Sequence, residues 1–367
     1  MSDSPSADPA SAAPAAPADL DSQARLASPA RRRNRPRRRR ALFGALSALL
    51  ALGLAGWIAF QLSPWPSALA IRWMFDREAV RVSDELIKHL PDSAVAERLD
   101  VSYRPGDPDA KLDVFRPAGA SGALPTVVWI HGGAWVSGDK SQIANYLRIL
   151  AARGYTVVGI NYSLAPGANY PEPLRQGAAA LGYLREHAGE LGVDPARMVL
   201  AGDSAGAQMA AQLAAAITDP GYARRLDIDV PVLATDLRAT LLACGAYDIE
   251  AAGIDGAFGG FLRSVLWSYT GTKDYADDPA LETASVAKHL SPAFPPTFVT
   301  AGNADPLLSQ STLLVSRLGE LGVKNTALFY PAEHEPALGH EYQFDLDTEA
   351  GRGALEDMVG FLGEHTR

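Results

Sequence analysis

The stretch MVLAGDSAGAQMAAQLAAAI, residues 198–217, decides the fold. It begins as a buried strand and ends as an alanine-rich helix, and Gly202 and Gly206 flank Ser204 at the junction. A G-x-S-x-G motif between a strand and a helix forms a tight turn that lifts the serine hydroxyl out of the sheet. The N-terminus of the following helix favours a developing negative charge. We therefore predict that Ser204 is a catalytic nucleophile and not merely part of a structural turn.

Apolar strands and helical segments alternate on both sides of this motif. Such an alternation is typical of a mostly parallel sheet covered by helices on both faces, with functional groups at the carboxyl ends of the strands. The sequence therefore predicts an α/β fold. Its first two predicted strands are LDVSY and KLDVF, which form a pair. The further predicted strands are PTVVWI (125–130), YTVVGINY (155–162), ATLLACGAYD (239–248), PTFVTAG (296–302) and NTALFYPA (325–332).

The segment HGGAW, residues 131–135, directly follows the strand PTVVWI. Because Gly132 and Gly133 have no side chains, their main-chain N–H groups can approach a substrate oxygen. Together with the N–H of Ala205, these groups are the predicted donors of an oxyanion hole. His131 stands at the end of the strand, and we interpret it as a structural residue with a local hydrogen bond.

A serine nucleophile needs a base and an acid that orients the base, and in this topology they follow the serine in the order acid, base. Asp305 lies just beyond the strand PTFVTAG, and Asp248 at the end of the preceding strand is the rival acid. His334 and His340 both lie in the loop PAEHEPALGHEYQF after the last strand. Position along the chain therefore leaves two acids and two histidines as candidates.

These motifs resemble the bacterial esterase/lipase side of the α/β-hydrolase superfamily, the hormone-sensitive-lipase-like and carboxylesterase group. The resemblance covers about residues 100–365, and Ala134 departs from it by replacing the third glycine of an HGGG-type motif. The motifs are HGGAW (131–135), NYSLAP (161–166), GDSAG (202–206), ADPL (304–307) and GHEYQF (339–344), the last resembling the acetyl- and feruloyl-esterase-like branch.

The resemblance implies an α/β-hydrolase fold and a role for each candidate residue. It implies no metal ion or organic cofactor, and no cluster of residues with metal-ligand spacing occurs in the sequence. Asp248 and His334 have no role in it. The implied catalytic residues are Ser204 as nucleophile, Asp305 as orienting acid and His340 as base, with Gly132, Gly133 and Ala205 as oxyanion donors.

The N-terminal region differs in composition from the rest of the chain. Residues 1–40 carry nine Arg and predict a disordered arm, whereas residues 41–62 are uncharged and long enough to span a membrane. The arginines favour a cytoplasmic N-terminus and an extracytoplasmic body. The alternative is a signal peptide cleaved near residue 70, after SALA, but signal peptides have shorter apolar cores.

The rest of the chain divides into a connecting segment and a catalytic domain. Residues 63–98 are predicted as a linker with an amphipathic helix at 71–90, and residues 99–367 as the catalytic domain. The insertion 249–290 is longer than an ordinary connection, and we interpret it as a small cap over the site; the alternative is a surface helix packed on the sheet. Its apolar helical stripe comprises Phe258, Phe261, Leu262, Val265, Leu266, Trp267 and Tyr269.

Together these features predict a membrane-anchored serine ester hydrolase that forms an acyl-enzyme on small, neutral, short-chain esters, such as acetyl or feruloyl esters. The alternatives are an amide hydrolase of the arylformamidase or peptidase type and an inactive binding protein with the same fold. Residues 41–367 carry 24 basic and 38 acidic residues, a net charge of −14 that disfavours nucleic acid as a partner. Cys244 is the single cysteine, and we expect a buried thiol.

Overall fold

The structure, a computed structural model, describes residues 35–250 and 259–367. Most of the predicted arm 1–40 and Phe258 of the predicted cap therefore lie outside the described residues. Residues 56–367 form one compact unit. The described part of the preceding unit, residues 35–55, is helical.

The described chain alternates strands and helices as the sequence predicts. The strands are β1 Val95–Ser102, β2 Lys111–Pro117, β3 Leu124–Ile130, β4 Thr156–Ile160, β5 Val193–Asp203, β6 Leu237–Ala243, β7 Thr297–Ala301 and β8 Asn325–Phe329. The helices are α1 Arg35–Leu62, α2 Trp65–Leu86, α3 Ala144–Ala151, α4 Glu172–Glu186, α5 Ala188–Leu191, α6 Ser204–Thr218, α7 Pro220–Leu226, α8 Gly259–Thr270, α9 Pro279–Ala284, α10 Leu308–Glu320 and α11 Glu349–His365.

All the strands in the described residues join one sheet in the order β1-β2-β4-β3-β5-β6-β7-β8. The β1–β2 and β2–β4 pairs are antiparallel, and the pairs from β4 to β8 are parallel. In the register of the central strands, Ile130, Gly202, Leu242 and Val299 lie side by side. The loops that follow β3, β5, β6 and β7 therefore leave the sheet at the same edge, which brings their polar residues together.

Two hydrophobic clusters cover the two faces of the sheet. Val128, Leu200 and Leu242 belong to one cluster, and their neighbours Val127, Val199 and Leu241 belong to the other, because successive side chains of a strand point to opposite faces. The α6 helix is buried along almost its whole length against the first face. The mostly parallel α/β fold predicted from the sequence is confirmed.

The N-terminal helices differ from the prediction in their bounds. The α1 helix begins at Arg35, and its stretch Arg39–Leu62 is long and apolar enough to cross a membrane by length and composition. The amphipathic helix α2 begins at Trp65, six residues before the predicted start. β1 likewise begins at Val95, before the predicted domain start at residue 99. Segment 63–98 thus folds with the catalytic body, because α2 buries one apolar face there.

Candidate active site

Ser204 occupies a strained turn at the carboxyl end of the central strand β5. It is the first residue of α6, and its φ of 50° lies in the left-handed region that non-glycine residues rarely adopt. A Cβ at Gly202 would overlap the backbone of Gly206, and one at Gly206 would overlap the carbonyl oxygen of Ile130. Both glycines are therefore required by close backbone approach. Such strain is typical of functional sites.

His340 and Asp305 complete a hydrogen-bonded chain with this serine. The Nε2 atom of His340 lies 2.9 Å from the Ser204 Oγ. Its Nδ1 atom lies 3.0 Å from both carboxylate oxygens of Asp305, whose side chain is fully buried. Asp305 leaves β7 and His340 follows β8, so the two residues come from neighbouring strand ends. The arrangement can transfer a proton from the serine hydroxyl to an oriented imidazole.

The electrostatics of the pair favour a charged imidazole. Burial lowers the pKa of His340, but the Asp305 hydrogen bond and the negative charges of Glu341, Asp305 and Asp203 outweigh it and raise the pKa to about 9. Burial acts to raise the pKa of Asp305, yet the hydrogen bond and charge of His340 bring it below its usual value. The carboxylate therefore stabilises the imidazolium that forms when the serine attacks.

The rival residues have other partners. The Asp248 carboxylate lies 3.9 Å from the Lys288 ammonium. The His334 ring packs against Tyr330, with ring centroids 4.6 Å apart. The buried Nδ1 of His131 lies 2.7 Å from the Gly132 carbonyl oxygen, which is the local hydrogen bond that the sequence predicts. Of the two acids and two histidines left open by the sequence, Asp305 and His340 are the ones near Ser204.

The predicted donor set of the oxyanion hole needs a correction. The Gly132 N–H already donates to the Asp203 Oδ2, at 2.7 Å, and so does not point to a substrate oxygen. Within the described residues, the N–H groups of Gly133 and Ala134 have no protein acceptor. Ala205 is the second residue of α6, where an N–H has no intrahelical acceptor. The two N–H groups after Gly132, together with that of Ala205, are therefore the available donors.

The sequence analysis did not identify two carboxyl groups, those of Asp203 and Glu341, that lie beside Ser204 and His340. The Glu341 Oε1 lies 3.7 Å from the His340 Nε2. A Cβ at Gly132 would overlap the Asp203 Oδ2 and lie 2.9 Å from the Glu341 Oε1, so both carboxyl groups face one point of the oxyanion loop. Burial and the negative charge of Glu341 raise the pKa of Asp203. Both residues adjoin catalytic candidates in the sequence, at GDSAG and GHEYQF, and that adjacency was the available signal.

Cys244 lies beneath this cluster as a fully buried thiol, as expected from the sequence. Its Sγ accepts the Glu341 N–H at 3.3 Å, and burial raises the pKa of the thiol well above its usual value. Cys244, Asp305 and His340 offer ligand atoms within 4.8 Å of one another, which makes them the possible metal-holding group among the described residues. Hydrogen bonding already accounts for this proximity, because both Asp305 oxygens accept from His340 and the thiol stays protonated.

A cavity of about 430 Å³ opens above Ser204 and His340. Asp203 and Glu341 line it beside the serine, and Glu78 of α2 is a further acidic lining residue. Two helices supply an apolar wall, namely α2 with Phe75, Ala79, Val82 and Leu86 and α8 with Phe261, Leu262, Val265 and Leu266.

The predicted cap stripe contributes to this wall only in part. Phe261 lines the cavity, and its ring centroid lies 5.8 Å from that of Phe75. Tyr269 instead stacks on Trp135 at 4.5 Å, and the Lys273 ammonium lies 5.2 Å from the Trp267 ring. The rings of Trp267 and Tyr269 do not line the cavity, so the predicted cap stripe faces the site only in part.

Known proteins are similar to this chain in sequence. The family model described as alpha/beta hydrolase fold matches residues 127–335. Esterase LipQ of Mycobacterium tuberculosis (strain ATCC 25618 / H37Rv) is 28% identical over 298 residues, 78% of this chain and 68% of LipQ. An acetyl esterase of Salmonella choleraesuis (strain SC-B67) is 30% identical over 213 residues, 56% of this chain. The latter match spans 62% of the acetyl esterase, less than two thirds of its length.

Solved structures share the fold. Esterase B from Lactobacillus rhamnosis has a TM-score of 0.71 at 23% identity, with 82% of this chain and 96% of that protein covered. An esterase from Pyrobaculum calidifontis has a TM-score of 0.65 at 23% identity, with 82% and 94% covered. At these identities the two structures support the architecture alone.

Proposed function

Because the chain belongs to the alpha/beta hydrolase fold family, as a carboxylesterase- or lipase-like hydrolase, we propose that it cleaves carboxylic esters through a covalent acyl-enzyme on Ser204. The observation that carries the proposal is the hydrogen-bonded chain from the Ser204 Oγ through His340 to Asp305.

The reaction proceeds in two halves. The Ser204 Oγ attacks the ester carbonyl carbon while its proton passes to the His340 Nε2. The tetrahedral intermediate collapses, and the imidazolium gives that proton to the departing alkoxide, which leaves as the alcohol. Water then attacks the acyl-enzyme with His340 again as base, and the acid leaves. The N–H groups of Gly133, Ala134 and Ala205 stabilise the oxyanion in both halves.

Covalent labelling tests this mechanism. A fluorophosphonate probe is expected to modify full-length protein at Ser204, and Ser204→Ala is expected to abolish both labelling and hydrolysis of p-nitrophenyl butyrate. An unlabelled wild-type protein would instead support the inactive binding protein. Faster cleavage of arylamides than of the matched aryl esters would support an amide hydrolase.

The substrates are small, neutral esters with short acyl chains, of the acetyl or feruloyl kind. The cavity volume is at the lower end of the range for ligand sites, about 300–1,000 Å³. The net charge of −14 of residues 41–367 disfavours anionic substrates, and Glu341, which lines the cavity, places part of that negative charge beside Ser204. The acetyl esterase relative is consistent with a short acyl group.

The acyl-chain preference is tested with p-nitrophenyl butyrate and palmitate, both held below micelle formation. We expect a higher kcat/KM for the butyrate ester. A higher value for palmitate would overturn the short-chain proposal and favour a lipase, while the serine mechanism would stand.

The location follows from the apolar helix. We propose that residues 41–62 remain as a single-pass anchor, with the N-terminus in the cytoplasm and the body outside it. A C-terminal reporter that is active only outside the cytoplasm is expected to be active, and the protein is expected to resist alkaline extraction from membranes. A soluble mature form that begins near Ile71 would instead show cleavage after SALA.

The insertion 249–290 acts as a small cap in this proposal. Its helix α8 lines the same cavity as Ser204 and His340 and packs against α2 through Phe261 and Phe75. Entry of substrate then depends on the α2–α8 wall.

A further inference from the structure

The α2 helix has two apolar faces, and the catalytic body covers only one. Ala68 and Ile71 are buried in the core, and Phe75 and Val82 line the active-site cavity. An amphipathic helix that only packs on a domain exposes a polar face instead of a second apolar one.

The second apolar face is a stripe that runs from Trp65 to Val80 and is interrupted by Asp76. Its large side chains are Trp65, Leu69, Trp73 and Val80, each exposed by 44–64%. At 3.6 residues per turn, these positions fall within an arc of roughly 80°. Single exposed apolar residues are ordinary, but an aligned stripe with two tryptophans indicates an interaction surface.

Hydrogen bonds hold this stripe in a fixed orientation. The Arg72 guanidinium donates to the carbonyl oxygens of Val136 and Ala165, at 2.7 and 3.2 Å. The Asp76 carboxylate accepts the Ser137 hydroxyl at 2.9 Å. Polar groups of α2 therefore tie the helix to the body, while the stripe remains outward.

The end of the candidate membrane span lies next to the same wall. Only Ser63 and Pro64 separate α1 from α2. The Lys273 ammonium, which follows α8, donates to the main-chain carbonyl oxygen of Gln61 at 2.9 Å. Both helices of the cavity wall are thus attached close to the point where the span ends. This continuity identifies the occupant of the stripe as lipid, because a chain leaving a bilayer at Leu62 brings Trp65 to the interface.

We propose that α2 lies on the outer surface of the bilayer through Trp65, Leu69, Trp73 and Val80, and that the α2–α8 wall thereby receives esters dissolved in the membrane. Tryptophans at the headgroup level and a neighbouring cation are typical of interfacial helices. The exposed Arg77, whose guanidinium lies 4.9 Å from the Trp73 ring centre, supplies the cation. The inference rests on the proposed anchor and ester hydrolysis and adds the way in which substrate arrives.

Site-specific quenching in nanodiscs tests the contact with full-length protein. A bimane label is placed on Trp73→Cys or on Leu69→Cys, and the bilayer is phosphatidylcholine with or without doxyl-labelled lipid. The matched control is Leu233→Cys, which is 60% exposed and precedes β6 at the opposite edge of the sheet. The native Cys244 is fully buried, and unsubstituted protein gives the background labelling.

Both α2 labels are expected to be quenched by doxyl lipid, and the Leu233→Cys label is not. Hydrolysis of p-nitrophenyl butyrate at the wild-type rate shows that each labelled variant is folded. Equal quenching at α2 and at residue 233 would overturn the inference and leave the anchor intact. Extraction of wild-type protein from membranes by alkaline carbonate would overturn the anchor and the inference together.

A second arm measures the arrival of substrate. Leu69→Ser with Trp73→Ser is expected to lower hydrolysis of hexyl butyrate, a small ester that partitions into the nanodisc, severalfold and to leave hydrolysis of p-nitrophenyl butyrate in solution unchanged. If the variant hydrolysed each of the two substrates at the wild-type rate, the role in substrate delivery would be overturned. A wild-type protein that hydrolysed neither substrate would instead contradict the proposed ester hydrolysis.

Discussion

The two sides of Ser204 are built in different ways. On one side, the ends of β5, β7 and β8 supply a hydrogen-bonded polar cluster in which Ser204, His340 and Asp305 lie within 3.0 Å of their partners. On the other side, α2 and α8 supply an apolar wall held by side-chain packing. Hydrogen bonds on the polar side require defined distances and angles, whereas packing on the apolar side fixes only shape and volume. Changes on the polar side should therefore affect catalysis most, and changes on the apolar side should affect substrate choice.

The largest expected effect separates the two histidines of the last loop. His340→Ala removes the proposed base and is expected to reduce kcat by about 10⁴–10⁶-fold. His334→Ala, whose ring contacts Tyr330, is expected to change kcat by less than about threefold, in line with an ordinary surface substitution. The measurement is steady-state hydrolysis of p-nitrophenyl butyrate, with circular dichroism as a check of folding. An inactive His334→Ala with an active His340→Ala would reverse the assignment.

The next effect tests the backbone of the oxyanion loop. Gly133 has a φ of 111°, and a Cβ there would overlap the Ser137 carbonyl oxygen. Gly133→Ala should therefore displace the donor N–H groups and lower kcat by about 10²–10³-fold. Gly106→Ala is the control, because Gly106 has a φ of 86° with no atom within 4 Å of the added Cβ. That variant should lose stability through strain alone and keep its kcat. Equal kcat values in both variants would remove the loop from the mechanism.

The different construction of the two sides also explains what the sequence could predict. The G-x-S-x-G motif is local, so its strand, turn and helix were predicted correctly around Ser204. The order of the strands placed Asp305 and His340 among the candidates, but Asp248 and His334 satisfied the same positional rule. Gly132 was wrongly assigned as a donor, because its acceptor, Asp203, is 71 residues away in the chain. Long-range packing of this kind leaves no short motif.

The apolar wall shows the same limit more strongly. The periodicity of residues 71–90 predicted an amphipathic helix, and α2 confirms that helix. Periodicity alone does not say which apolar face meets the body, and it did not place Ala79 or Val82 in the cavity. The stripe of residues 249–290 was likewise divided, with Phe261 in the cavity and Tyr269 stacked on Trp135. These outcomes depend on contacts between helices that are distant in sequence.

The role of the apolar side in selecting the acyl chain is tested by a substitution that fills part of the cavity. Ala79 lines the wall, so Ala79→Leu is expected to lower kcat/KM for p-nitrophenyl hexanoate by roughly tenfold, as changes in an apolar pocket do. The acetate ester, which extends less far, should change by less than about twofold under the same reasoning. Val80→Leu is the matched control, because its side chain is 52% exposed and lies outside the cavity lining. A uniform loss for both esters would mean that α2 does not select the acyl chain.

The smallest expected effect concerns Glu341, which belongs to the polar side but makes no hydrogen bond with His340. The His340 pKa is raised to about 9, in part by the negative charge of Glu341, so at neutral pH the free imidazole is mostly protonated. The value of kcat/KM should therefore rise with pH up to about 9.

Glu341→Gln removes this charge at nearly constant shape and should lower the His340 pKa, since the imidazolium loses a stabilising partner. The rising limb of the plot of kcat/KM against pH should move to lower pH by up to about one unit, which increases kcat/KM at pH 7 by up to about tenfold. The alkaline plateau should stay within about twofold, because Ser204, Asp305 and the loop donors remain. Glu78→Gln is the control, because Glu78 borders the cavity but pairs with Arg81. A limb that stays in place in Glu341→Gln, or that moves to higher pH, would show that Glu341 does not tune the base.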